Sequence, residues 1–278
     1  MKIGIVGLGL IGGSLGIDWR SRGHHIVGIS RKESTCKTAL ERGIADEASV
    51  EFRLLKDTDV VVICTPISAI ASTIEQAIPH LNPNTIITDV GSVKHSVVTE
   101  CSKLWSNFIG GHPMAGTAES GIDAAQANLF TGAAYVFTPI EQNKLEDVEK
   151  LKAIASELNA VPYVCDAGVH DRAVSWISHL PVIVSASLIK ACLQEEPDTL
   201  ELAQILASSG FQDTSRVGGG NPELGVMMAK YNREELLRSL YSYRDNLDEI
   251  ISFIEEKKWQ DLEIILQNNR DTRPKFLN

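Results

Sequence analysis

A short, mostly apolar segment at the start of the chain, Lys2-Ile3-Gly4-Ile5-Val6, runs directly into Gly7-Leu8-Gly9-Leu10-Ile11-Gly12-Gly13-Ser14-Leu15. The first part suits a strand buried in a parallel sheet. The second is G-x-G-x-x-G, placed between that strand and a helix. Gly7 makes the tight turn, Gly9 lets a diphosphate approach the backbone, and Gly12 lets helix and strand pack closely. The free N–H groups of the first helical turn, around Leu10 and Ile11, face the anion. This order of parts predicts a Rossmann-type, doubly wound α/β sheet with a dinucleotide at its carboxyl edge.

The second strand, His25-Ile26-Val27-Gly28-Ile29, ends in Ser30-Arg31-Lys32. An NAD site usually carries Asp or Glu at this tip, to hydrogen-bond the ribose 2′-hydroxyl. Here the acid is missing; Ser30 can donate to a 2′-phosphate and Arg31 can pair with it. The expected cofactor is NADP. Further strands are expected at 59–64, 85–90, 108–109, 134–139 and 161–165, with helices between them. Cys64-Thr65-Pro66 closes the third strand and should border the cofactor. The alternation stops near Cys165. It assigns 1–165 to a dinucleotide-binding domain and 166–278 to an all-helical domain.

Beyond Phe108-Ile109 comes Gly110-Gly111-His112-Pro113-Met114-Ala115-Gly116-Thr117. The glycines allow the backbone to turn, and Pro113 pushes His112 toward an extended conformation. This places an imidazole on a stiff loop past a strand end, where open α/β sheets bind ligands. His112 is the candidate general base; a histidine that only bonds a turn is the plainer alternative. Ser92, in Gly91-Ser92-Val93-Lys94, is available as a helix N-cap.

The helical part opens with a long apolar helix, 170–192, holding His170-Asp171 and Ser178-His179-Leu180-Pro181. Pro181 removes the bond to the Ile177 carbonyl and should kink the helix. Residues 170 and 179 are half a turn out of phase on a straight helix, at about 100° per residue. His179, beside the kink, is therefore the chosen functional residue. The stretch Phe211 to Pro222, with Asp213-Thr214-Ser215-Arg216-Val217-Gly218-Gly219-Gly220 at its centre, reads as a polar, glycine-rich loop in which Arg216 could hold a carboxylate, a flexible linker being the plainer alternative. Helices over 222–230, 233–257 and 259–268 carry wide apolar faces, suited to a dimer core or to packing within the chain.

The net charge is −10, from 26 basic and 36 acidic residues, which argues against nucleic acid or an anionic membrane as partner. Five scattered cysteines without C-x-x-C fit a reducing compartment and no metal site. The N-terminus shows no signal-peptide pattern, and no unbroken apolar run has the length of a membrane span. A soluble, cytoplasmic protein is expected.

With these stretches in this order, the chain resembles the TyrA group, the prephenate and arogenate dehydrogenases, over nearly its whole length. The carriers are the glycine turn, Asp89-Val90-Gly91-Ser92-Val93-Lys94, the His112 loop, His170-Asp171, Ser178-His179-Leu180-Pro181 and Asp213-Thr214-Ser215-Arg216. The run Gly218 to Gly225 is similar to that of the short arogenate dehydrogenases of cyanobacterial type. The resemblance implies an oxidative decarboxylation of a cyclohexadienyl acid. In it His112 takes the 4-hydroxyl proton, Ser92 orients His112 and the nicotinamide, and Arg216 holds a substrate carboxylate. His179, Gly116, Thr117 and Asp213 are then placed at the substrate. Some prephenate enzymes carry Glu after the Gly-Thr, where this chain has Ala118, and Trp nine residues past the arginine, where it has Gly225. Arogenate with NADP is the first expectation and prephenate the near rival. A hydroxyacid dehydrogenase or imine reductase using Lys190, and a dinucleotide sensor without turnover, are the alternatives of other kinds.

Overall fold

In a computed structural model of the chain, eight strands form one sheet in the order β3-β2-β1-β4-β5-β6-β7-β8. The structure describes residues 1–117 and 119–277. The strands are β1 Lys2–Val6, β2 His25–Ile29, β3 Glu47–Ser49, β4 Val60–Ile63, β5 Ile86–Asp89, β6 Phe108–Pro113, β7 Ala134–Thr138 and β8 Val161–Val164. All neighbours pair in parallel except β6 and β7. The order is that of a Rossmann sheet, extended at one side by two reversed strands, β7 and β8.

The strands alternate between two cores, as a period of two demands. Val60 and Val62 join Ile3, Ile5 and Ile86 under the helices α1 (Leu10–Ser21) and α5 (Leu145–Glu157). Val61 and Ile63 join Ile87 on the other face, under α3 (Ile70–Ala77) and α4 (His95–Leu104). Trp19 is buried in the first core and still spends its indole N–H, on the Ile154 carbonyl at 2.8 Å. Each large side chain so buried contributes roughly 1.5–3 kcal/mol. The helix α2 (Glu33–Glu41) leads into β3, which periodicity did not show. Glu47-Ala48-Ser49 has no apolar pattern; Asp46, bonded to the Ile26 N–H at 2.8 Å, sets it beside β2.

The helical region holds α6 (Ala167–Val174), a π-turn over Ser175–His179, α7 (Leu180–Cys192), α8 (Pro197–Leu206), α9 (Ser209–Ser215) and α10 (Pro222–Tyr231), then α11 (Arg233–Glu255) and α12 (Trp259–Thr272). By compactness the chain divides into Met1–Asn232 and Arg233–Asn278, so the helices after 166 up to Asn232 group with the sheet. In the second unit α11 and α12 pack on one another. Leu247, Ile251 and Ile254 of α11 are exposed at helical spacing.

Two expectations are corrected. His112 does not sit on a loop: β6 continues through it, and it pairs with Val136 of β7. The stretch 209–219 is not a loop either but α9 followed by a 3₁₀ turn, Arg216–Gly219. Gly218 belongs there because a Cβ would fall 2.3 Å from the Ala186 nitrogen of α7. The helix Ala167–Cys192 is long and apolar enough, by length and composition, to cross a membrane, although its apolar run is interrupted. Of the residues that interrupt the run, His170, Asp171 and His179 are buried, and Arg172 and Lys190 are exposed.

Candidate active site

At the carboxyl edge, β1 and β4 end against each other. Gly7 has φ +104°, and a Cβ on it would lie 2.6 Å from the Cys64 carbonyl oxygen. Gly12 is equally tight against the Gly7 carbonyl. Gly9 is different: nothing in the protein lies within 4 Å of the Cβ it lacks. It is also the N-cap of α1, and no side chain caps the first turn, where Leu10 and Ile11 stand. Open space above an uncapped helix start is what a diphosphate requires. Cys64, Thr65 and Pro66 follow β4 at this junction; Thr65 lies 3.5 Å from the Thr73 hydroxyl. Ser30 stands at the tip of β2 and Arg31 beside it is exposed, without an ion pair among the described residues.

Two strands further along, the sheet opens. Beyond Ile109, β6 leaves β5 and pairs only with β7. Asp89, the last residue of β5, fills the gap. Its carboxylate accepts the N–H of Gly111 at 3.0 Å and of Gly91 at 2.8 Å, and takes the Lys94 ammonium as an ion pair. Lys94 also donates to the Gly111 carbonyl at 2.6 Å. Both charges are fully buried. Burial pushes the Lys94 ammonium toward the neutral form, and Asp89 opposes that. The two glycines are needed for this closeness. A Cβ on Gly111 would lie 2.6 Å from the Asp89 carbonyl, and one on Gly110 2.5 Å from the Thr138 hydroxyl.

His112 is thus carried by a clamped strand. Its Nδ1 meets His170 Nε2 at 2.9 Å, with the rings edge to face. His170 Nδ1 donates to Asp171 at 2.8 Å. Asp171 in turn caps α4, accepting the backbone N–H groups of Lys94 and His95 at 2.7 and 2.8 Å. Burial holds His112 well below its usual pKa, and His170, Lys94 and His179 push the same way. It is a neutral imidazole at physiological pH.

His179 is also buried. Asn232 gives one amide N–H to the Asp171 carbonyl at 2.8 Å and meets His179 Nδ1 at 3.1 Å. A carbonyl can only accept, so the amide nitrogen faces both groups and His179 Nδ1 accepts. Its proton is therefore on Nε2, which has no partner among the described residues. Burial brings its pKa down to about 4. The Ser92 hydroxyl is buried and equally without a partner.

Two family models match the chain. The nucleotide-binding domain of prephenate dehydrogenase matches residues 15–164, and the prephenate dehydrogenase dimerization domain matches residues 166–268. The chain belongs to the prephenate dehydrogenase family. Among relatives of this family, the prephenate dehydrogenase of Bacillus subtilis is 31% identical over 276 residues, 97% of this chain and 74% of that protein. A crystal structure of Synechocystis arogenate dehydrogenase superposes with a TM-score of 0.92 at 53% identity, covering 99% of this chain and 100% of that one. The A. aeolicus prephenate dehydrogenase, in complex with hydroxyphenyl propionate and NAD+, has a TM-score of 0.93 at 24% identity, covering 99% and 98%; that likeness is one of fold.

The family's candidate residues do not all converge here. His112 and His179 are brought to one buried cluster with Lys94, His170 and Asp171. Ser92, expected to orient His112, makes no bond to it; the partner is His170. Gly116 and Thr117 are exposed just past β6, and Thr117 Oγ1 accepts the Glu119 N–H at 3.2 Å. Ala118 lies outside the described residues. Asp213 and Arg216 are exposed on α9 and the 3₁₀ turn, and no bond ties them to His112. Lys190 is exposed near the end of α7. A straight helix would turn His170 away from His179. The π-turn between them rotates less per residue and removes that objection. The one signal available was the Pro181 break next to it.

Proposed function

We propose that this protein converts L-arogenate to L-tyrosine by NADP-dependent oxidative decarboxylation. The observation that carries the reading is the buried, neutral His112, held on a clamped strand of the edge that also bears the glycine turn. When bound, the nicotinamide accepts the hydride released from ring C4 as the ring carboxylate leaves as carbon dioxide and the ring becomes aromatic. His112 accepts the proton of the 4-hydroxyl, which its low pKa keeps it free to do at neutral pH. Ser92 offers its unpartnered hydroxyl to the same oxygen and to the nicotinamide side. His179 offers an N–H to an acceptor on the substrate, and Arg216 a fork for a carboxylate. Gly116, Thr117 and Asp213 border the substrate.

Gly7, Gly9, Leu10, Ile11 and Gly12 hold the diphosphate, with Cys64, Thr65 and Pro66 alongside. Ser30 and Arg31 meet the 2′-phosphate, and the absent acid at the β2 tip supports NADP over NAD. Residues 1–165 bind the cofactor, and 166–278 serve the substrate and a homodimer formed through C-terminal helices. The exposed Leu247, Ile251 and Ile254 support that face. The setting is the cytoplasm. Prephenate as substrate is the second reading, favoured by the Bacillus subtilis relative.

The test is a hydride-transfer assay crossing arogenate and prephenate with NADP and NAD. Turnover of arogenate with NADP should exceed the other three combinations by at least tenfold in kcat/KM. Comparable use of NAD contradicts the reading of Ser30 and Arg31, and a preference for prephenate replaces the substrate. Arg216→Ala should raise the substrate KM while leaving NADP binding intact; an unchanged KM removes Arg216 from the site.

A further inference from the structure

His112 has two ring nitrogens, and only one can serve as base. A neutral imidazole carries its proton on one nitrogen and a lone pair on the other, and the partner of one nitrogen decides which. The chain of bonds behind His112 ends in a group whose role is not in doubt. Asp171 is a carboxylate and only accepts. Two backbone N–H groups already point at it, and His170 Nδ1 lies 2.8 Å from the same oxygen that takes the Lys94 N–H. His170 Nδ1 therefore carries a proton. With His170 neutral, its Nε2 holds a lone pair, and that lone pair faces His112 Nδ1 at 2.9 Å. Two lone pairs would repel at that distance, so His112 carries its proton on Nδ1.

From this we propose that His170, oriented by Asp171, is a positioning residue that fixes His112 as the Nδ1–H tautomer with its Nε2 lone pair free toward the substrate. The inference rests on the reading of His112 as base. Asp171 fixes the His170 tautomer, and His170 fixes that of His112. When Nε2 takes the hydroxyl proton, His112 becomes a cation in a buried place that already holds Lys94. The Nδ1–H bond to His170 then strengthens, and the positive charge is shared along the pair toward Asp171, the carboxylate at the end of the chain. His179 stands in the same cluster with the opposite arrangement. Asn232 holds its Nδ1 as acceptor, so it presents N–H where His112 presents a lone pair. The same residue, Asp171, anchors both sides, through its carboxylate toward His170 and its carbonyl toward Asn232.

The test reads the tautomer directly. In the full-length protein labelled with 15N-histidine, imidazole nitrogen shifts and one-bond N–H couplings should show His112 protonated at Nδ1 and bare at Nε2. His112→Asn assigns the signals. In His170→Phe the constraint is gone, and His112 should move to the Nε2–H form. Its kcat should fall about 100-fold or more, with dinucleotide affinity unchanged within twofold. His170→Gln, whose amide oxygen can accept the Nδ1–H, should recover at least tenfold of that loss and restore the Nδ1–H signal. A wild-type His112 protonated at Nε2 overturns the proposal, as does full activity in His170→Phe; the wild-type spectrum decides even if that variant fails to fold. The underlying reading fails separately. Turnover by His112→Asn removes His112 as base whatever its tautomer, whereas an inactive His112→Asn with an Nε2–H wild type removes only the role given to His170.

Discussion

Two glycines three residues apart make opposite predictions, and the pair tests where the cofactor lies. Gly9 sits at φ −97°, ψ −156°, a conformation open to any residue. A methyl group there meets no protein atom within 4 Å. Gly9→Ala loses a little as an N-cap and gains about 0.4–1 kcal/mol by restricting the unfolded chain. The net change in stability should stay within about 1 kcal/mol, which is roughly 2–4 °C in Tm for a chain of this size. The methyl group would, however, occupy the path of the diphosphate. Binding of NADP should weaken at least tenfold, or about 1.4 kcal/mol. Gly12→Ala places its methyl carbon 2.1 Å from the Gly7 carbonyl oxygen. That is about 1.2 Å inside the ~3.3 Å at which carbon and oxygen touch. The neighbour is backbone and cannot rotate away, so the turn itself must move. Overpacking of this kind costs about 1–3 kcal/mol, against at most about 1 kcal/mol recovered in helix propensity. Gly12→Ala should therefore lose both stability and affinity, and Gly9→Ala affinity alone. Differential scanning fluorimetry without ligand and calorimetric titration with NADP separate the two. A Gly9→Ala protein that binds NADP within twofold of the original would refute the placement of the diphosphate.

Lys94→Met should destabilise the fold by about 3–5 kcal/mol in urea titration, because it leaves Asp89 charged and buried without its partner. Acid should act through the histidines. The folded-state pKa values of His112 and His179 lie below the unfolded value, His179 at about 4, so below pH 6.5 the unfolded chain binds protons first. Stability should fall by about 1.4 kcal/mol per pH unit for each group as pH drops from about 6.5 toward 4. A denaturation series compared with His179→Gln checks the share of His179; identical slopes would contradict it. The acid limb of kcat should accordingly begin below pH 6.5. Gly218→Ala should cost about 1–3 kcal/mol, since its methyl group meets the backbone of α7, and a thermal scan reads it.

What could be read from the residues was whatever depends on local order. The turn from Gly7 to Gly12, the fully apolar strand at 60–63, and the long C-terminal helices all announce themselves by spacing. The remainder depends on partners far away in the chain. Gly110-Gly111 looks like a place to turn, yet these glycines are small so that β6 can approach Asp89 and Thr138. Ser208 to Gly220 looks like a polar loop, yet Gly218 is seated against α7 and the chain coils there. Lys94 reads as an ordinary basic residue at a helix start, and only the gap between β5 and β6 makes it a buried ion. His170 was hidden by geometry: the assumption of a straight helix is sound for most sequences, and here a five-residue π-turn breaks it.

Because His112 is paired on one side with β7 and braced on the other by a buried charge, the imidazole proposed as the base belongs to the rigid scaffold. Gly116 and Thr117 lie three and four residues beyond Pro113, out in solvent, and Asp213 and Arg216 are likewise exposed on α9 and the 3₁₀ turn. On the proposed reading, the proton transfer at His112 and the His179 contact belong to the interior, and only the part of recognition given to Gly116, Thr117, Asp213 and Arg216 lies on the exposed rim. A lineage can exchange one substrate side chain for another by editing the exposed rim, while the interior goes on moving the same proton.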